Sequence, residues 1–183
     1  RVYQDGKIYL WEPFADTANG LWTIQRNLYK NTSGSRVVFE EVNKDLDVTF
    51  QYGWTSSDKY GLVKESRVID GGTRKRKMEI LDGCRNILPA CVTADFQNAN
   101  SVLLDAYKKT DLIQQSALAV FSVTSIITDK AEPSEGLYAN AAWFSGLDPV
   151  HLSPASPECF RTGRAIPDVS VVKGERPAMY TLI

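Results

Sequence analysis

The feature that most limits the fold is a two-residue alternation carried on short links. Over 46–54, Leu46, Val48, Phe50 and Tyr52 alternate with Asp47, Thr49 and Gln51. A period of two sends successive side chains to opposite faces of an extended chain, so this segment is read as a strand with one face in water. A Val- and Phe-rich segment, 36–42, precedes it, and strands at 60–69 and 74–81 follow. The links Asn43-Lys44 and Asp70-Gly71-Gly72 are too short to cross over to a parallel neighbour, which predicts an antiparallel meander. Further strands are expected at 2–11 (a hairpin turning on Asp5-Gly6), 22–29, 118–127, 137–147 and 180–183. One helix is expected over 96–109, where Val102, Leu103, Ala106 and Tyr107 recur three or four apart. Asp95 is its expected cap, and Lys108-Lys109 suit the negative end of its dipole. Pro149, Pro154, Pro157, Pro167 and Pro177 make 148–177 an expected irregular loop.

Composition adds bounds. A chain of 183 residues corresponds to one domain, 1–183. Hydrophobic residues at 43% and charged residues at 23% exclude disorder and coiled coil. The expected class is mainly β: an antiparallel two-sheet β-sandwich with one helix and a long Pro-rich loop. The 21 basic and 22 acidic residues leave a net charge of −1. That gives no overall reason to bind nucleic acid or an anionic membrane, and neither is expected as a partner. No apolar run is long enough for a membrane-spanning helix. The chain opens with Arg1 in one strand-like segment and closes in another, so it is read as an excised piece of a larger protein.

Several residue groups are candidates for chemistry. Asp129, Glu132 and Glu135 lie close together in DKAEPSEG, and a protonated carboxyl beside an ionised one is what glycoside hydrolysis needs. Pro133 favours a solvated turn instead. Asp82 and Asn86 flank an abrupt strand exit, as loop anchors or as sugar or metal contacts. Trp54 sits where a strand meets Asp58 and Tyr60, and with Tyr52 offers flat faces for stacking, whereas Trp22 and Trp143 read as core. Arg74, Lys75, Arg76 and Lys77 split between the two faces of a strand and read as charge guarding an edge. His151 is the single histidine. No G-x-S-x-G, G-x-G-x-x-G or Walker motif accompanies it, so neither a nucleophile triad nor a cofactor is expected. Cys84, Cys91 and Cys159 read as reduced thiols, with a Cys84–Cys91 bridge as the alternative.

A run of phrases between 45 and 147 carries a family resemblance. DVTFQYGWTSSDKYGLVKESRVID, EILDGCRNILPACV, LLDAYKKTDL and ITDKAEPSEGLYANAAWFSGL resemble the N-terminal β-domain of large bacterial cellobiose- and cyclic-glucan-phosphorylase-like proteins. YLWEPF and GLWTIQRNLYKN are similar to the start of that "supersandwich". The resemblance implies a non-catalytic domain that supports and positions a downstream helical-barrel domain of the same chain. It also implies a carbohydrate and a second copy of the chain as partners. It transfers no catalytic residue. Lys108 and the basic segment are the contacts it suggests, beside Trp54, Asp58, Tyr60, Asp82 and Asn86.

Overall fold

In a computed structural model, residues 1–16, 20–113, 116–126, 134–145 and 149–183 are described, with the backbone alone for 124–126 and 134–137. The fold is mainly β, and every strand pairing is antiparallel. The contacts group into two compact units, Arg1–Glu79 and Ile80–Ile183.

In the first unit, β1 (Val2–Gln4) and β2 (Lys7–Tyr9) form the expected hairpin. Its two-residue loop has φ of 51° at Asp5 and 74° at Gly6, the left-handed pair that matches strand twist. The meander follows as β3 (Ile24–Lys30), β4 (Arg36–Asn43), β5 (Val48–Ser57) and β6 (Gly61–Asp70), hydrogen-bonded in chain order. The expected fourth meander strand at 74–81 does not form. Instead β7 (Lys77–Met78) pairs with β1. The cause is Arg76, whose guanidinium turns back to Asp70, the Asp47 carbonyl and Gln4, pulling the segment off the sheet. Val2, Leu46 and Val48 form the core between the two sheets, with Tyr9, Trp11, Trp22, Val68 and Met78 packed around them.

The second unit begins with β8 (Leu81–Arg85), α1 (Ala94–Ala99), α2 (Ser101–Ala106) and β9 (Lys108–Leu112). It continues with β10 (Leu118–Ile126), β11 (Ser134–Trp143), β12 (Val150–His151), α3 (Ser156–Thr162), β13 (Val171–Lys173) and β14 (Ala178–Leu182). One sheet runs β11-β10-β9-β13 and the other β12-β14-β8. Ala119, Phe121 and Val123 alternate onto one face of β10 and are fully buried. The first two meet Val150, Leu152 and Met179, and Val123 meets Leu104 and Val92. A second sheet and a helix pair thus close over one apolar face.

Four expectations are corrected here. The single helix over 96–109 is two short ones that meet at Asn100, whose φ of −124° and ψ of 24° leave the helical region while its side chain bonds the Phe96 carbonyl. Thr93, not Asp95, is the cap: its hydroxyl accepts from the Phe96 N–H at 3.2 Å. The irregular 148–177 stretch contains β12, α3 and β13. Asp82-Gly83, expected as a loop, lies inside β8. There, a Cβ at Gly83 would sit 2.1 Å from the Met179 carbonyl oxygen, so only glycine lets β8 and β14 approach.

Candidate functional site

The β3–β6 sheet brings together more of the singled-out residues than any other described element. Its two faces differ chemically. On one, Leu28, Phe39, Tyr52 and Ser66 lie in register across all four strands, and Lys30, Val37, Trp54 and Lys64 form the next row. Phe39 and Tyr52 stack at 4.9 Å and 15°, and Phe14 meets Tyr52 edge-on at 5.4 Å. The Lys64 ammonium stands 5.8 Å from the Tyr52 ring centre. Tyr52 is therefore committed to its neighbours, while Leu28 and Leu62 remain 63% and 69% exposed at either side. Trp54 is half-buried.

The opposite face is polar. Asn27, Glu40, Gln51 and Arg67 lie in one row. Glu40 accepts from the Asn27 amide at 2.8 Å, from the Tyr29 hydroxyl at 2.9 Å and from the Gln51 amide. The Asn27 and Gln51 bonds hold its carboxyl below the usual range, and the bond to Glu40 pushes the Tyr29 phenol up. Beside this row lies a shallow depression of about 390 Å³, bounded by Arg36, Val38, Gln51, Glu65 and Arg67. Gly53 forms its floor, where a side chain would crowd Val38.

Other carboxylates act as anchors. Glu41 is 2% exposed and accepts from Trp11 Nε1 at 3.0 Å, the Phe14 N–H at 2.8 Å and Arg26 Nε at 2.7 Å. These bonds clip the 11–14 segment to the sheet. Glu79 takes hydrogen bonds from Lys77, Tyr3 and Arg1, which lower its pKa to about 2. In the second unit Asp105 bonds Lys108 at 2.7 Å, Gln97 at 3.1 Å and Arg176 at 3.2 Å. Burial alone would raise the Asp105 pKa; the three donors outweigh it and the net direction is down.

The expected site residues fall in separate places. Asp58 and Tyr60 are exposed at the tip between β5 and β6, with the Lys59 ammonium 5.1 Å from the Tyr60 ring centre. Asp82 is half-buried in β8 opposite Thr181. Asn86 is exposed just past that strand with φ of 58°, a turn role rather than a shared site with Asp82. Lys108, expected at a helix end as a contact, is instead buried in β9 with its ammonium on Asp105 and Gln97. Trp22 joins the first core, but Trp143 is 48% exposed at the end of edge strand β11. Asp129 and Glu132 lie outside the described residues, as does the side chain of Glu135. His151 is buried in β12, and among the described residues neither ring nitrogen has a hydrogen-bond partner. Cys84 is half-buried in β8, Cys91 is exposed and Cys159 is buried.

Sequence reasoning missed Glu40 and Glu41. Their signal is two adjacent acids in an otherwise apolar strand, where each face must supply its own donors. Among the described residues no cluster of His, Cys, Asp and Glu has the makings of a metal site, and no helix is long and apolar enough to cross a membrane. No family model matches the chain, and no curated protein matches it in sequence.

Proposed function

We propose that this chain is a non-catalytic β domain that supports and positions a separate catalytic module, in a carbohydrate-active protein of the phosphorylase type its sequence resembles. The supporting observation is the use made of its carboxylates. Glu40, Glu41, Glu79 and Asp105 each take three donors and serve as anchors for loops and strands, and the donors hold Glu40, Glu79 and Asp105 below the usual carboxylate range. General acid–base chemistry needs the opposite, a carboxyl whose proton is free to leave and return near neutral pH. The face of the β3–β6 sheet that carries the Phe39–Tyr52 stack, with Leu28 exposed next to Phe39 and Leu62 exposed two rows further along, is the surface this reading assigns to the catalytic module.

The test is made in the whole parent protein. Deleting 1–183, or replacing Leu28 and Leu62 together by Lys, is expected to lower phosphorolysis or hydrolysis of glucose oligosaccharides. Full activity after the deletion overturns the reading. A carbohydrate-binding module is the second reading, favoured by half-buried Trp54 and exposed Tyr60 on the same β5–β6 hairpin. Calorimetric titration of the chain with glucose oligosaccharides separates the two: saturable heat that Trp54→Ala abolishes supports the module, and no heat supports the positioning role.

A further inference from the structure

We propose that His151 is a proton-operated latch: neutral, it keeps β12 and α3 closed on the β12-β14-β8 sheet, and protonated in mild acid it releases them. His151 is the chain's single histidine. Histidine is the side chain whose charge ordinarily changes between about pH 5 and 8. The ring is 8% exposed, and among the described residues neither nitrogen has a hydrogen-bond partner. A buried polar group left without a partner costs stability, and native proteins keep few of them.

The alternation of β12 places the ring. Val150 and Leu152 join the core with Phe121 and Met179. His151 is therefore sent to the other face, beside Tyr180, its partner across the ladder. That face is covered as well, since Tyr180 and Ala178 are both buried. Burial pushes the Tyr180 phenol up, and Arg85 of β8 and Arg161 of α3 act against it, which sets both guanidiniums close to the same ring. The titratable and charged groups these elements bring are Tyr180 on β14, Cys84 and Arg85 on β8, and Glu158, Cys159 and Arg161 on α3. Glu158 is held by Arg161 at 3.5 Å. Asp82 of β8 lies in the row of Val150 and Thr181, on the opposite face.

A proton gives the imidazole a positive charge and two N–H donors. In the closed form those donors meet no acceptor among the described residues, and the charge joins two cations. Water serves both needs once the ring is exposed, so the proton favours opening. β12 is the element able to yield. It has two residues, stands at the edge of its sheet and pairs only through Val150 with Thr181 and His151 with Tyr180. An exposed histidine takes up its proton at about pH 6.5, so the latch is fully closed above that value and each pH unit below it favours opening by about tenfold. The inference stands apart from any carbohydrate role.

Hydrogen exchange of the 183-residue chain, corrected for the intrinsic rate at each pH, tests it. The amides to follow in α3 are Cys159, bonded to the Ala155 carbonyl, and Arg164, bonded to that of Cys159. Their opening constant is expected to rise about tenfold between about pH 7.5 and 5.5, while amides of β4 and β5 hold theirs. His151→Gln and His151→Leu cannot take up the proton, and both are expected to give a flat profile. The Arg1 ammonium, lowered from 8.0 by its burial, is common to all three proteins and cancels in the comparison. Circular dichroism confirms that each variant is folded. A flat profile in the wild type, the same rise in either variant, or a rise shared by β4 and β5 overturns the proposal.

Discussion

The two halves of this molecule use the same antiparallel pairing and hold it together differently. In Arg1–Glu79, the β3-β4-β5-β6 sheet follows chain order, and each strand is joined to the next by a short turn. Its buried hydrophobic residues are few, Val2, Leu46 and Val48, and the buried polar Glu40, Glu41 and Asn43 sit among the strands with them. In Ile80–Ile183, Leu81 pairs with Leu182 and Lys109 with Lys173, so both sheets are closed by strands distant in sequence. Its larger core is filled by Phe121, Leu104, Leu152 and Met179, while buried Lys108 is held by Asp105 and Gln97. A sheet can thus be pinned by satisfied charges or by packed hydrocarbon. The first kind responds to pH, the second to cavities.

That contrast can be broken by experiment. The largest effect is expected from Phe121→Ala, which empties the second core at about 3–5 kcal/mol. Hydrogen exchange should show β9 and β10 losing protection while β3–β6 keep theirs. Equal loss in both would mean the halves unfold as one. Glu41→Ala comes next. It strands the Trp11 and Phe14 N–H groups, at about 2 kcal/mol. Arg26, 41% exposed, recovers water. Urea unfolding followed by tryptophan fluorescence would measure the loss.

The acid response sharpens the same contrast. Glu79 has its pKa lowered from 4.5 to about 2 by Lys77, Tyr3 and Arg1. Its contribution is therefore complete above pH 4.5 and is lost as the pH falls through about 2. Thermal melting of the wild type across that interval should fall more steeply than that of Glu79→Gln, which has no such proton to take up. Parallel curves would sink the assignment. The smallest effect is expected from Thr93→Ala, which removes the α1 cap at about 1 kcal/mol. Its readout is exchange at the Phe96 amide.

Much of the first unit was legible because its information is local. Alternation between Val48 and Trp54 and the Asp5-Gly6 turn each act within a few residues, and the observed strands match them. The second unit was less legible. Gly83 lies inside β8, where it serves a close approach to Met179 that no local signal reports. Lys108 read as the solvated end of a helix, but it starts a strand and meets Asp105 in the interior. The segment at 74–81 failed as a strand because Arg76 found Asp70 and Gln4. Of the candidate site residues, only Trp54 belongs to the sheet face the structure singles out; Asp58 and Tyr60 sit at its hairpin tip.

By itself, the sequence determined a mainly β chain with antiparallel neighbours, since side-chain period and link length are properties of short segments. Only the tertiary structure decided which strands close each sheet, which carboxylates become anchors and which edge is left open. Those outcomes depend on which distant groups meet, and on whether each buried charge finds its donors there.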